Sequence, residues 1–573
     1  MRYTEKQNIT GAEALLASLI NQGVETVFGY PGGSITPVYD RLQDYPELRH
    51  LLTRHEQGAV HAAQGYARVS NRTGVCMATS GPGATNLLTG IADAMLDSTP
   101  VVCIAAQVPS TALGTDFFQE ADMINMTVPI TKWNYQITRF DEIVPTLAKA
   151  FYIAAAGRPG PVYIEVTKDA LTARGDYRWE PCRGIRSYRP VPEVDGDAAA
   201  EAVRMINAAE RPLMLVGNGV KISGAEEAVL RLAEAGNIPV AATLMGLSGV
   251  PTGHPLNIGM VGMHGNAAGN LMTQEADLLI AVGMRFSDRV TGNLKTYAPR
   301  ARVIHIEIDP VEIDKNVRTD LALVADAREA LEAILTAGGI VRKERAEWFA
   351  TAARHAAVER ERVIDRQLRP QREELTMGEV VAQVAEQGGG EAVIVTDVGQ
   401  QQMMAARYSN YKHTRSLITS GGLGTMGYGL PAAIGAKVAL EEMHDGRHVV
   451  LFLGDGGFQM TMQELGTMLH WGIPVKIVLL DNAFLGMVRQ WQQLFMEKRY
   501  NATELVNPDF VQIARAYGMP ARRITRREEL VEAVGEMLGS DGAYFLQVAV
   551  GREDNVFPMV PGGASLDELL YSE

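Results

Sequence analysis

The strongest constraint on this chain is a recurring unit: a short, continuously apolar, β-branched run that stops at a glycine or a polar residue and leads into a helix-length segment. PVVCIAAQVP (100–109), GPVYIEV (160–166), PLMLVG (212–217), DLLIAVG (277–283), HVVLFL (448–453) and VKIVLL (475–480) are such runs. Strands of this kind are buried on both faces, as in parallel sheets covered by helices. Repeated alternation of strand and helix means α/β architecture. At 573 residues the chain exceeds one hydrophobic core. It divides into three doubly wound parallel-sheet units, expected at 1–180, 195–340 and 375–553, with 554–573 as a C-terminal tail. The Pro-, Arg- and Gly-rich stretch 175–197 reads as the first linker, and the charged stretch 341–374 as a helix plus a connection. No short-period repeat is visible.

Two strand ends in the third unit carry chemistry. HVVLFL stops at Gly454-Asp455-Gly456-Gly457, and VKIVLL stops at Asp481-Asn482. Ligands of open α/β sheets sit outside the carboxyl ends of strands. The glycines admit a bulky anion close to the backbone, and the helix N-terminus that follows favours its charge. A carboxylate and an amide oxygen suit Mg²⁺, which takes few protein ligands and leaves positions for phosphate oxygens. Asp455 and Asn482 are therefore the candidate metal ligands of a Mg²⁺-diphosphate site.

Other properties limit the partners. A formal charge of −14 spread over the whole length argues against nucleic acid and against an anionic membrane surface. The cluster Arg522, Arg523, Arg526 and Arg527 runs into Glu528 and Glu529 and reads as a solvated helix face. Three cysteines make no disulfide framework; Cys76 and Cys103 lie in apolar runs and Cys182 in the linker. With no charged-then-apolar start and no apolar run near the length of a membrane span, a cytoplasmic protein is expected.

GDG followed, after residues 457–480, by Asp481-Asn482 resembles the diphosphate-binding signature of thiamine diphosphate enzymes. The resemblance narrows to the large, catalytic subunit of acetolactate synthase (acetohydroxyacid synthase) and covers essentially the whole chain. It is carried by VFGYPGG (27–33), SGPGATN (80–86), AAQVP (105–109), GTDFFQE (114–120), GRPGPVYIEVTKDA (157–170), GMHGN (262–266), GMRFSDRVTG (283–292), HIEIDP (305–310) and LGMVRQWQ (485–492). It implies an N-terminal pyrimidine-binding domain, a central FAD-binding domain and a C-terminal diphosphate domain.

The implied roles follow the motifs. Glu56, in RHEQGAVHAAQGYAR (54–68), would bond the aminopyrimidine ring and activate the cofactor. By themselves the residues read more simply, as a first-turn acid favoured by the helix dipole. Val398, Gly399, Gln400 and Gln401 would approach the diphosphate; Gly424 would offer its carbonyl to the aminopyrimidine amine, and Met426 would hold the cofactor bent. Phe484 would add a backbone carbonyl to Mg²⁺. Gly33 and Gln119 would line the reacting centre, Phe118 would shape the pocket and Lys168 the channel. Met487 and Trp491 would cap the site, Trp491 against the second keto acid. Arg158, Gly217, Gly219, Thr243, Leu244, Met245, Met263, His264, Gly265, Gly283, Arg285, Asp288, Arg289 and Asp309 match stretches that contact FAD, Asp309 as a carboxylate placed to bond ribose hydroxyls. Ser34, Ser110, Thr111 and Ser287 depart from the usual family residues.

The implied cofactors are thiamine diphosphate, Mg²⁺ and FAD. The implied substrates are 2-keto acids, giving acetolactate from pyruvate and aceto-hydroxybutyrate from 2-oxobutyrate, the first common step of branched-chain amino-acid synthesis. The implied assembly is a homodimer or homotetramer with active sites between subunits, and the resemblance adds a separate regulatory small subunit as a candidate partner. Pyruvate oxidase and other thiamine diphosphate carboligases, such as sulfoacetaldehyde acetyltransferase, are the alternatives.

Overall fold

A computed structural model describes residues 2–573. The first unit contributes strands β1 (Glu5–Thr10), β2 (Thr26–Gly29), β3 (Arg49–Leu52), β4 (Gly74–Ala78), β5 (Val101–Gln107), β6 (Trp133–Ile137), β7 (Val162–Thr167) and β8 (Arg174–Arg178). The second contributes β9 (Pro212–Val216), β10 (Val240–Ala242), β11 (Asn257–Met260), β12 (Leu278–Val282), β13 (Arg302–Glu307) and β14 (Leu321–Val324). The third contributes β15 (Val393–Thr396), β16 (Leu417–Ile418), β17 (Val449–Gly454), β18 (Val475–Asp481), β19 (Ala521–Ile524) and β20 (Tyr544–Ala549).

Each unit forms a parallel sheet of six strands, in the orders β3-β2-β4-β5-β7-β6, β11-β10-β9-β12-β13-β14 and β16-β15-β17-β18-β20-β19. Helices cover the sheets, and the apolar runs listed from the sequence are buried strands in all three units. The first and third sheets share one strand order, a duplication that leaves no readable sequence repeat. The middle sheet has the two-half order of dinucleotide-binding folds.

In such sheets the crevice opens where the strand order reverses. Those points lie between β2 and β4, between β9 and β12, and between β15 and β17. The register of β17 against β18 pairs Gly454 with Leu480, which sets Asp455 beside Asp481 at the same edge.

Two segments differ from the sequence reading, and the C-terminal tail gains a definition the sequence did not give. Residues 174–178 are a strand, β8, paired antiparallel with β1, so the linker begins later. RGDYR shows no apolar period because it lies at the rim, with only Tyr177 buried. The arginine cluster is not a helix face: Arg522 and Arg523 lie on β19, and Arg526 and Arg527 enter a short 3-10 turn. Arg522 pairs with Glu532 and Glu536, and Arg527 with Glu379, which keeps these charges at the surface. The C-terminal tail is docked rather than free. Val560 donates its N–H to the Met263 carbonyl at 2.7 Å, and Val560 and Leu566 join the core of the middle unit.

The first and third units meet through helices Glu56–Ser70 and Gly429–Glu442. A Cβ on Gly65 would lie 2.0 Å from the Ala432 carbonyl oxygen, and one on Gly435 would lie 1.8 Å from that of Ala62. Only glycine permits backbone to touch backbone at that range. No helix among the described residues is long and apolar enough to cross a membrane.

Candidate active site

The crevice of the third sheet is lined by the loops after β15, β17 and β18. Val398, Gly399, Gln400, Gln401, Met426, Gly454, Asp455, Gly456, Gly457, Asn482, Phe484 and Met487 face one small cavity of about 50 Å³. Asp455 and Asn482 are buried. Asp455 Oδ2 accepts the Asn507 amide at 2.6 Å, and the same amide reaches Asp481 Oδ1 at 2.9 Å. One neutral amide thus serves two carboxylates. Burial pushes the Asp455 carboxyl up to about 7, with the Asn507 bond holding it back and the neighbouring Asp481 charge adding to the rise. An acid pair of buried Asp455 and half-buried Asp481 that forms no ion pair with a basic side chain among the described residues fits a divalent cation, and oxygen donors of this type are those a hard cation takes. Asn482 Oδ1 accepts the Phe484 N–H at 3.1 Å, and its amide donates to Gln400 at 3.3 Å. That bond orients the turn carrying the Phe484 carbonyl.

Glycine is required around this cradle. A Cβ on Gly457 would fall 2.5 Å from Asp397 Oδ1, and one on Gly486 would fall 2.2 Å from Gln400 Oε1. Asp397 was not singled out from the sequence. It is buried, accepts N–H bonds from Val398, Gly427 and Gly429, and is raised to about 6 by burial. It ties the loop after β15 to the Gly421–Gly427 loop. The sequence signal was an acid between a strand and the VGQ turn. Asn507, in a loop after residue 500, carried no local signal.

The crevice of the middle sheet is a cleft of about 710 Å³, within the range of small-molecule sites. Its walls include Arg158, Gly217, Gly219, Thr243, Leu244, Met245, Met263, His264, Gly283, Arg285, Asp288 and Arg289. Gly217 and Gly219 close on Gly283, where added Cβ atoms would fall 2.2 and 2.7 Å from Gly283 atoms, and Gly283 itself has φ +55°. A flat or anionic group can therefore approach the backbone directly. His264 Nδ1 is buried and unpartnered, and burial with nearby Arg407 and Arg289 pushes this imidazole down to about 3. Glu307 lines the cleft and is raised to about 7 by burial. Asp309 and Gly265 stand outside the lining: the Asp309 carboxylate accepts Arg158 Nη1 at 3.0 Å and caps the turn at Val311. These donors and glycines fit a dinucleotide. Val398, Gly399, Met426, Met487, Val488 border both cavities, so the two share a wall. Trp491 lines the larger one.

The remaining candidates sit on loops that follow strands of the first sheet. Glu56 is the first residue of its helix and is buried. Its Oε2 accepts the Asn86 amide at 2.9 Å, while Oε1 stands 3.2 Å from where a Cβ on Gly83 would be. SGPGATN therefore wraps this carboxylate, and Asn86 is a partner the sequence reading passed over. From the third unit, Glu464 accepts the Arg54 N–H at 3.1 Å and braces the helix start; burial raises it to about 7. Gly33 is exposed, with open space at its Cα. Gln119 has φ +63° and packs on Gly81, itself at φ +59°. A non-glycine residue in that region carries strain of the kind functional sites hold. Phe118 is 81% exposed, and Lys168 is exposed at a helix start. Of the departing serines, Ser110 donates to Asp169 at 2.5 Å and Ser34 bonds Ser80 at 2.8 Å. Neither cavity is lined by Gly33, Glu56, Phe118, Gln119 or Lys168.

Helix Gly486–Phe495 buries an unexpected face: Arg489, Gln490 and Gln493. Arg489 Nη2 donates to Asn555 Oδ1 at 2.9 Å, and Gln490 Nε2 to the Val556 carbonyl at 3.2 Å. The tail thus holds the helix that carries Met487 and Trp491, and Gly562 lies against the Trp491 ring.

Family models match stretches of all three units. The N-terminal TPP-binding domain of thiamine pyrophosphate enzymes matches residues 9–126, their central domain 199–334, and their C-terminal TPP-binding domain 397–548. The acetolactate synthase isozyme 2 large subunit of Escherichia coli is 45% identical over 98% of this chain and 99% of its own. The chain belongs to the acetolactate synthase large-subunit family. An acetolactate synthase of Mycobacterium bovis is likewise 45% identical, over 98% of this chain and 91% of its own. The acetolactate synthase large subunit of Corynebacterium glutamicum is 43% identical over 100% of this chain and 91% of its own. Membership makes the chain a thiamine diphosphate-dependent enzyme.

Proposed function

We propose that the chain decarboxylates pyruvate and joins the remaining two-carbon unit to a second 2-keto acid, giving 2-acetolactate from pyruvate and 2-aceto-2-hydroxybutyrate from 2-oxobutyrate. The observation that carries this reading is that one chain of this family holds both a wrapped carboxylate, Glu56, and the Asp455–Asn482 cradle. Thiamine diphosphate, when bound, supplies the carbon nucleophile and the electron sink. Asp455, Asn482 and the Phe484 carbonyl would hold Mg²⁺ against the diphosphate. Glu56 would share a proton with the ring nitrogen of the aminopyrimidine through Oε1, the oxygen Asn86 leaves free. The Gly424 carbonyl would accept from the ring amine, and Met426 would keep the rings in a bent arrangement. Gln119 would donate to the substrate oxygen from its constrained backbone position. Met487 and Trp491 would exclude water and hold the acceptor carbonyl in line.

The middle cleft would take FAD, with Gly217, Gly219 and Gly283 along its backbone path. Glu56 and Gln119 stand apart from both cavities of their own chain, and Phe118 is exposed beside them, which supports a homodimer or homotetramer. In it the first unit of one chain would complete the site of another. A regulatory small subunit and a cytoplasmic setting belong to the same reading. Incubation with pyruvate, thiamine diphosphate, Mg²⁺ and FAD tests it: acetolactate is the expected product. Acetate or acetyl phosphate with bleaching of the flavin would refute it.

A further inference from the structure

Three units converge on one turn, Leu96-Asp97-Ser98, at the end of helix Leu88–Leu96. From the third unit, Gly421 donates its N–H to Asp97 Oδ2 at 2.9 Å and Gly422 donates to Oδ1 at 2.7 Å. Arg68 adds its guanidinium to Asp97 Oδ2 at 2.9 Å and also bonds the Thr419 carbonyl. One turn earlier, Asp93 accepts Thr425 Oγ1 at 3.0 Å and the Ser420 hydroxyl. The loop that bears Gly424 and Met426 is thus clamped by two buried acids of the first unit.

The other side of the same turn faces the large cleft, towards Arg285 and Asn218 of the middle unit and Arg158 of the first. Arg285 donates to the Leu96 carbonyl at 2.7 Å, Arg158 Nε to Ser98 Oγ at 2.9 Å, and the Asn218 amide to the Asp97 carbonyl at 3.4 Å. Arg158, Asn218 and Arg285 all line the large cleft, as do Leu96, Asp97 and Ser98. Ser98 sits at φ +56°, a left-handed backbone that a serine holds only when its surroundings fix it. Gly421 closes the circuit, since a Cβ there would lie 2.4 Å from the Met245 sulfur on the cleft wall.

We propose that this turn couples the two cofactor cavities, with Asp97 as the positioning residue: a nucleotide in the middle cleft fixes Arg158, Asn218 and Arg285, these fix the turn, and Asp97 sets the loop that receives the thiamine rings. The inference rests on the flavin reading of the middle cleft. It assigns a task to a flavin that need not change redox state. Coupling between sites is reciprocal, so each cofactor raises the affinity of the other by the same factor.

The test is flavin binding, read by quenching of FAD fluorescence on the apoprotein with and without saturating thiamine diphosphate and Mg²⁺. The FAD Kd of the parent should fall by about fivefold or more when both are present. In Asp97→Asn, which keeps the side-chain shape and loses the charge held by Arg68, the factor should shrink to within about twofold of unity. An unchanged Kd in the parent, or a full factor in Asp97→Asn, overturns the proposal. Should the variant not fold, hydrogen exchange on the parent decides: FAD alone should protect the Gly421 and Gly422 amides, and unaltered exchange there overturns it. Absence of any flavin quenching removes the flavin reading, and the coupling with it.

Discussion

If Asp455 holds Mg²⁺ as proposed, the acid pair at the end of β17 and β18 should make that binding sensitive to pH near neutrality. Asp455 is raised to about 7 by burial and by Asp481, and only its ionised form is a ligand. A group with that value is ionised to about 90% at pH 8 and about 10% at pH 6. The affinity for Mg²⁺-thiamine diphosphate should therefore fall by about tenfold between those values, or about 1.4 kcal/mol. Stability of the apoprotein should move the opposite way. The folded chain holds a proton that the unfolded chain has lost above about 3.9. This contribution is fully present below that pH and is lost as pH rises through about 7. The assay is calorimetric titration of the apoprotein at pH 6, 7 and 8, run in parallel on Asp455→Asn. The variant should bind more weakly throughout and retain only the dependence due to the ligand's own phosphate. Equal pH slopes in parent and variant would refute the assignment of the proton to Asp455.

Three further outcomes are expected. Glu56→Gln should lower carboligation by about 10²–10⁴-fold with an unchanged thermal midpoint, because an amide keeps the Asn86 contact but cannot take up the ring proton; near-parental turnover would remove Glu56 from cofactor activation. Trp491→Leu should shift product in a mixture of pyruvate and 2-oxobutyrate towards acetolactate, since one methylene-sized contact is worth about 1–3 kcal/mol; an unchanged product ratio would make the ring a packing residue. Gly435→Leu drives a side chain into the Ala62 carbonyl, 1.8 Å from the Cβ position. It should cost at least the roughly 1–3 kcal/mol of an overpacked core, seen as a lower thermal midpoint, and parental stability would show that the helix pair can part freely.

What could be read from the residues was what is buried on both faces. HVVLFL and VKIVLL need no partner to identify them, and the polar groups that end them, Asp455 and Asn482, line one cavity at the edge where the register sets Asp455 beside Asp481. Contacts made by side chains distant in sequence were not readable. Asn507 reaches Asp455 from 52 positions away, and Asp97 reaches Gly421 from 324. Helix Gly486–Phe495 was misleading in another way. Its inward side is Arg489, Gln490 and Gln493, while the apolar residues Met487, Val488, Trp491 and Phe495 stay half-buried or exposed; hydrogen bonds from the docked tail hold the buried face. The shared strand order of the first and third sheets is likewise a matter of packing, which many sequences satisfy.

The seam at Gly65 and Gly435 has a mechanical meaning. Contacts between side chains yield by rotamer changes, whereas a carbonyl resting on an α-carbon has nothing to rotate. The helix that begins at Glu56 and the helix that follows the Gly424 loop are thereby locked as one rigid beam. In a dimer of the proposed kind, the two ends of that beam would serve different active centres, Glu56 one and the Gly424 loop the other. Displacement at one centre would then be passed to its neighbour through a strut of backbone.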